Sequence, residues 1–293
     1  MAYATAADGV RLYYEETGSG DPLIFVHEFA GDHRSFEPQV RFFSRRYRCL
    51  TYAARGYPPS DVPKAVESYG QKIAAADIIA VLDAAGVDRA HIVGLSMGAF
   101  ATLHAGLDFP ARARSLVLAC IGYGAEPERE AEFRELSEQA ARAFETQGSA
   151  AFAEVYGASA ARVQFQVKDP RGWREMVDGL AGHDPLGSAN TMRGVQARRP
   201  SLYSLTDQIG ALTLPTLIIC GDEDDQTLQP GIFLKRTIKA SGLLVLPKTG
   251  PALNLEEPDM VNGALAEFFA QVEAGRWDMR DPRADPDEII RTR

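Results

Sequence analysis

The sequence predicts an α/β protein with a mostly parallel sheet covered by helices on both faces. Three observations carry that expectation. Short apolar runs alternate with helical patterns along most of the 293 residues, as in a parallel sheet wrapped by crossover helices. A third of the way along, Val93-Gly94-Leu95-Ser96-Met97-Gly98-Ala99 joins a buried strand directly to a helix. Over residues 126–206 strand character stops and helical patterns remain, which reads as a helical cap inserted over the carboxyl edge of the sheet, where such folds bind ligands.

The elements follow in order. Residues 10–17 alternate in part and stop at Gly18-Ser19-Gly20-Asp21-Pro22, a strand and a turn. Leu23-Ile24-Phe25-Val26 is a short buried strand running into His27-Glu28-Phe29. Residues 47–52 are the next strand, closed by the glycine and prolines of residues 55–61. The spacing of Ile73, Ala76, Ile79, Ala80 and Leu82 predicts a helix over 69–85, stopped by Gly86. Strands are predicted at 90–93, 115–120, 214–220 and 243–246, with a last core helix over 259–272. Asp169-Pro170-Arg171-Gly172 and His183-Asp184-Pro185-Leu186-Gly187 break the helical stretch. The expected organisation is a core over 1–125, a cap over 126–206, a second core segment over 207–275 and a charged tail over 276–293.

Composition excludes several function classes. Charged residues make up 24% and hydrophobic ones 45%, the balance of a globular protein. A net charge of −9 argues against nucleic acid and anionic membranes, which attract basic surfaces. No apolar run approaches the roughly 20 residues that span a bilayer, and the first residues lack a basic-then-apolar export pattern. Cys49, Cys120 and Cys220 fall in strand-like runs, so buried thiols are expected, not a disulfide framework or metal site. The cytoplasm is the expected location, and a small-molecule substrate or ligand is the expected partner, with no nucleic acid and no membrane.

Gly94-Leu95-Ser96-Met97-Gly98 carries the chemistry. A strand that becomes a helix in so few residues strains the backbone at the serine, and a glycine two positions to either side leaves room for it. The turn projects the Ser96 hydroxyl above the sheet, toward a pocket under residues 126–206, and offers the Met97 amide to a developing oxyanion.

With these residues, the chain resembles the α/β-hydrolase superfamily over roughly residues 8–272, and looks most like its capped esterases, lactonases, haloperoxidases and carbon–carbon bond hydrolases. The resemblance implies an eight-stranded sheet. It assigns the nucleophile to Ser96 and, through Gly221-Asp222-Glu223-Asp224, the triad acid to Asp224. His27-Glu28-Phe29 stands where the family has His-Gly-x, which gives an oxyanion amide to Phe29 beside Met97. Residues 250–258 match Gly-His-x4-Glu-x-Pro, but Pro251 occupies the histidine position. The last histidine in the chain is His183, so nothing downstream replaces it in Ser–Asp–His order. Glu28 also replaces a glycine, and Ala53 replaces the aspartate of Asp-x-Arg-Gly, with Arg55-Gly56 kept.

A serine hydroxyl is a poor nucleophile without a base, and proline has neither a titratable group nor an N–H. Glu28 is the candidate substitute base, because burial beside the oxyanion loop would raise its pKa toward a useful range. His183 could reach the site from the cap. With Pro251 and His27 it is a candidate substrate contact, although in this motif a histidine at position 27 usually braces the loop. His33 could touch ligand; His91 and His104 read as structural, and Lys248 as solvated. No cofactor and no metal is expected. The expectation is a serine hydrolase of a small ester, lactone or related carbonyl compound with an incomplete triad. The alternatives are a hydrolytically silent ligand-binding protein or a non-hydrolytic, lyase- or isomerase-like member of the fold.

Overall fold

The structure, a computed structural model, describes residues 2–284; Met1 and the last residues of the expected tail, 285–293, lie outside the described residues. Its eight strands are β1 (Ala2–Thr5), β2 (Arg11–Thr17), β3 (Asp21–Val26), β4 (Tyr47–Tyr52), β5 (Ala90–Leu95), β6 (Ala113–Ala119), β7 (Thr216–Gly221) and β8 (Ser241–Leu246). They form one open sheet in the order β1-β2-β4-β3-β5-β6-β7-β8. β1 and β2 run antiparallel to their neighbours; β4, β3 and β5 to β8 run parallel. The eight-stranded, mostly parallel sheet expected from the sequence is therefore present.

Strand periodicity explains the two faces. Leu23 and Phe25 of β3 join Val93 and Leu95 of β5 in one core cluster, while Ile24, Val26 and Ile92 join another. Successive side chains point to opposite faces. Helices cover both: α1 (Glu37–Phe43), α2 (Gln71–Ala84) and α3 (Met97–Asp108) in the first half of the chain. Because both faces are covered, the parallel strands read as continuous apolar runs instead of alternating ones.

Between β6 and β7 the described chain holds no strand. It runs through α4 (Glu130–Gly157), α5 (Val163–Lys168), α6 (Pro170–Ala181), α7 (Pro185–Thr191) and α8 (Thr206–Gly210). α4 is interrupted at Gly148, whose φ of 82° only glycine adopts without strain. The two aspartate–proline breaks are helix starts: Asp169 accepts from Gly172 N–H at 2.9 Å and Asp184 from Gly187 N–H at 2.9 Å, each followed by proline in the first turn. This stretch rests on the loops at the carboxyl ends of the strands. Phe144, Ala153, Val177 and Leu180 share a buried cluster with Phe29, Tyr57 and Met97.

After β7 come α9 (Asp225–Thr237), and after β8 the short α10 (Leu253–Glu256) and α11 (Pro258–Glu273). Trp277 begins the tail docked, its indole N–H donating to the Ala240 carbonyl at 2.9 Å and its ring edge-on to Phe268. All three cysteines are free and buried. Among the described residues no helix is long and apolar enough to cross a membrane.

Candidate active site

Ser96 sits between β5 and α3 with φ 51° and ψ −111°, a conformation that L-residues rarely hold. The flanking glycines show why it persists. A Cβ on Gly98 would lie 2.1 Å from the Val26 carbonyl oxygen, and one on Gly94 2.3 Å from that of Gly98. Helix and strand approach too closely for any other residue at either position. The serine is half-buried, and its Oγ makes no hydrogen bond among the described residues. Met97 N–H opens α3 and so has no acceptor one turn back.

The loop after β3 lies beside it. His27 Nε2 accepts from Ala54 N–H at 3.0 Å, which leaves the proton on Nδ1 to donate to the Glu28 carbonyl at 2.7 Å. Both ring nitrogens are spent on backbone, and burial lowers the imidazole's pKa. His27 thus has no nitrogen left for a substrate, which corrects the expectation of contact through it and fits a brace. Tyr57 Oη donates to the Phe29 carbonyl at 3.1 Å, fixing that peptide. The Phe29 N–H, like that of Met97, has no acceptor among the described residues.

Glu28 is buried. Ser35 Oγ donates to Oε1 at 3.4 Å, and Oε2 has no partner. Burial pushes this carboxyl above its ordinary range, and the Arg162 charge is among the effects opposing the rise. No hydrogen bond joins Glu28 to Ser96 among the described residues.

Asp224, at the start of α9, is buried and fully engaged. Tyr123 Oη donates to Oδ1 at 2.8 Å and Thr227 Oγ1 to Oδ2 at 3.0 Å. Burial raises its pKa, with those two bonds opposing. Tyr123 is itself held through its carbonyl by Arg199 Nη2, whose guanidinium stacks 3.8 Å from the Phe100 ring centroid. Pro251 is buried in the loop before α10. Glu256 pins both sides of that loop, accepting from Gly250 N–H at 2.8 Å and Ala252 N–H at 3.2 Å.

A cleft of about 950 Å³ runs between the Glu28 loop and α6. Glu28, Tyr57 and His183 line it; Ser96, Asp224 and Pro251 do not. Ser96 Oγ is accessible but does not line this cleft, and Glu28 is the predicted residue that both lines the cleft and feels the Arg162 charge. His183 stands edge-on to Tyr57 with both ring nitrogens unpartnered, and burial lowers its pKa to about 4. His33 lies near Glu15 and Asp32 outside the cleft lining. His91 is sealed in the sheet against Ser115, His104 is buried in α3, and Lys248 projects into solvent beside Glu223.

Sequence reasoning missed Tyr123 and Arg162. Tyr123 follows β6 at the carboxyl edge of the sheet, a position that could have flagged it. Arg162 carries no motif; only the folded chain brings it over the site.

The comparisons with known proteins identify the fold family. The α/β hydrolase fold family matches residues 21–258. The chain belongs to that family. This hydrolase-fold chain is 26% identical over 252 residues to 3-oxoadipate enol-lactonase 1 of Acinetobacter baylyi, covering 86% of this chain and 89% of that one. It superposes on a malate-bound thermophilic esterase from Thermogutta terrifontis with TM-score 0.83 and 24% identity, over 92% of this chain and 98% of that one. An enol-lactonase from Burkholderia xenovorans gives TM-score 0.80 at 20% identity, over 92% and 100%. At such identities the two solved structures show the fold alone.

Proposed function

We propose that this α/β-hydrolase-fold chain is a serine hydrolase of a small ester, lactone or related carbonyl compound, working with an atypical triad. The observation that carries this reading is the positive-φ turn at Ser96, with two unengaged amides, Phe29 and Met97, offered from the loop after β3 and the start of α3. Strain of this kind persists only where the surroundings enforce it. The lactonase named among the relatives supports the substrate class.

In this reading Ser96 Oγ attacks the carbonyl carbon while its proton passes to the Glu28 carboxylate. The carbonyl π pair moves onto oxygen, where the Phe29 and Met97 N–H groups receive it. Collapse breaks the bond to the leaving oxygen, which takes the proton back from Glu28. A water then attacks the acyl carbon and gives its proton to Glu28; collapse breaks the bond to Oγ, releases the acid and returns that proton from Glu28 to Ser96. A buried carboxyl with a raised pKa and a free oxygen suits that work. Asp224 keeps the acid position and fixes Tyr123. The helical stretch over 126–206 acts as cap, His183 and Pro251 border the substrate, and the three buried thiols fit the cytoplasm.

One observation favours the second reading, a hydrolytically silent ligand-binding protein. Each Asp224 oxygen already accepts from a hydroxyl, so the buried carboxylate is held in place without an imidazole. A panel of short-chain esters and γ- and δ-lactones separates the two. Turnover abolished in Ser96→Ala supports the hydrolase; no turnover, with thermal shifts on ligand addition, supports the binder.

A further inference from the structure

The turn Ala160–Arg162, between α4 and α5, packs on the Pro251 loop: a Cβ at Gly250 would lie 3.3 Å from the Ala161 carbonyl oxygen. Arg162 extends from it and is 7% exposed. Its Nη2 donates to Tyr156 Oη, and the guanidinium lies 4.7 Å from the centroid of that ring. Nε is sealed from solvent with no partner. Nη1 makes no hydrogen bond among the described residues and is not sealed, so it borders accessible space.

Two other buried arginines show what is unusual here. Arg55 is bonded to Asp77 through two nitrogens, to Asp8 and to the Ser68 carbonyl. Arg199 donates to the Gln196 side chain and the Tyr123 carbonyl. Arg162, like Arg199, has no carboxylate within ion-pair distance among the described residues, but unlike Arg199 it keeps a buried nitrogen, Nε, with no acceptor at all, and its charge acts on Glu28, Asp224 and Glu256. A buried cation is costly unless paired and hydrogen-bonded, and the unpartnered Nη1 leaves a charge-assisted donor for a carboxylate.

A row of packed rings joins it to the oxyanion loop. Phe29 meets Phe144 edge-on at 5.8 Å, Phe144 meets Phe152 at 4.1 Å, and Phe152 stacks on Tyr156 at 5.9 Å. Arg162 caps its far end.

We propose that Arg162 anchors a carboxylate of the substrate, so that this site takes esters or lactones bearing a free acid across a short apolar spacer from the reacting carbonyl. This rests on the Ser96 site being the ligand site; the hydrolytic step is tested separately below. The uncompensated buried charge is then completed by the ligand, and a substrate with a neutral end would leave it open.

The test compares ethyl hydrogen glutarate with ethyl pentanoate, which differ in one carboxylate, and measures glutarate binding by calorimetry on the wild type. The wild type should favour the anionic ester by about 10- to 100-fold in kcat/KM, the range that one charge-assisted hydrogen-bonded pair supplies. Arg162→Met and Arg162→Gln should erase that preference, whatever they do to the rate on ethyl pentanoate, and weaken glutarate binding by at least about tenfold. Arg162→Lys should keep part of both. Equal losses on both esters, with glutarate affinity unchanged, would overturn the proposal and make Arg162 structural. Arg162-dependent glutarate binding without any turnover would leave the anchor standing and defeat the hydrolase reading. Turnover of ethyl pentanoate with glutarate binding indifferent to Arg162 would do the reverse.

Discussion

Replacing Pro251 by histidine would put an imidazole into a loop whose backbone is already fixed. Glu256 holds the amides at 250 and 252, and proline has no N–H of its own to lose, so the substitution breaks no backbone bond. In a serine protease, removing the triad histidine costs on the order of 10⁶ in kcat. Two features of this site subtract from the gain on restoring it. The imidazole must take Asp224 Oδ1 from Tyr123 Oη, 2.8 Å away, and a hydrogen bond to a charged group contributes about 1.5–3 kcal/mol, roughly 10- to 150-fold. The Arg162 charge acts on the same carboxylate and disfavours an imidazolium beside it, by roughly another tenfold for a shift of about one pKa unit. What remains for imperfect geometry is a gain of about 10²-fold in kcat/KM on p-nitrophenyl acetate at pH 8. Adding Tyr123→Phe frees the Asp224 oxygen and should bring about tenfold more. Initial rates on purified variants, with melting curves to confirm folding, measure both. A folded Pro251→His, Tyr123→Phe protein no faster than wild type would refute the reasoning. It would mean that Ser96 and the two amides do not hold hydrolase geometry.

Three further predictions follow from particular contacts. If Glu28 is the base, the rate rises with pH as its carboxyl, raised by burial, loses its proton. Glu28→Gln should remove that limb and lower kcat by about 10²–10⁴-fold; an unchanged profile rules Glu28 out. Burial pulls the His183 pKa from the ordinary 6.5 down to about 4, so the unfolded chain binds the extra proton first and stability falls as pH drops from about 6.5 toward 4. The gap corresponds to roughly 3 kcal/mol, and His183→Phe, which keeps the edge-on contact with Tyr57, should lose less stability over that window in urea titrations. Arg55→Met strands Asp77, which is 2% exposed, and should cost about 3–5 kcal/mol by denaturant unfolding; a loss under about 1 kcal/mol would show that the network is not the support it looks like.

What the sequence disclosed was what local sterics dictate. The turn at Ser96 was legible because only glycine at 94 and 98 lets strand and helix approach so closely, and β3 and β5 because buried parallel strands are apolar on both faces. β1 was not located: Ala-Tyr-Ala-Thr is a short edge strand whose pairing with β2 comes from tertiary contact, not from its own pattern. His27, Glu28 and Phe29 were placed by motif, but not that Glu28 would turn an oxygen toward Ser35 and the cleft. Arg162 was invisible for a stronger reason. Its meaning depends on residues 160–162 settling on the Pro251 loop, some ninety positions away, and no local pattern encodes that approach. The same holds for Tyr123 satisfying Asp224 across 101 residues.

The central claim is that Ser96 is a working nucleophile in spite of Pro251. Intact-mass measurement after incubation with a fluorophosphonate tests it directly, because the phosphonyl group is transferred only to an activated serine with donors placed for the developing oxyanion. A single adduct on the wild type, mapped to Ser96, absent from Ser96→Ala and slowed in Glu28→Gln, is the predicted result. An unmodified wild-type mass after prolonged incubation, in a protein that still binds glutarate, would contradict the claim and leave a binding protein on a hydrolase fold.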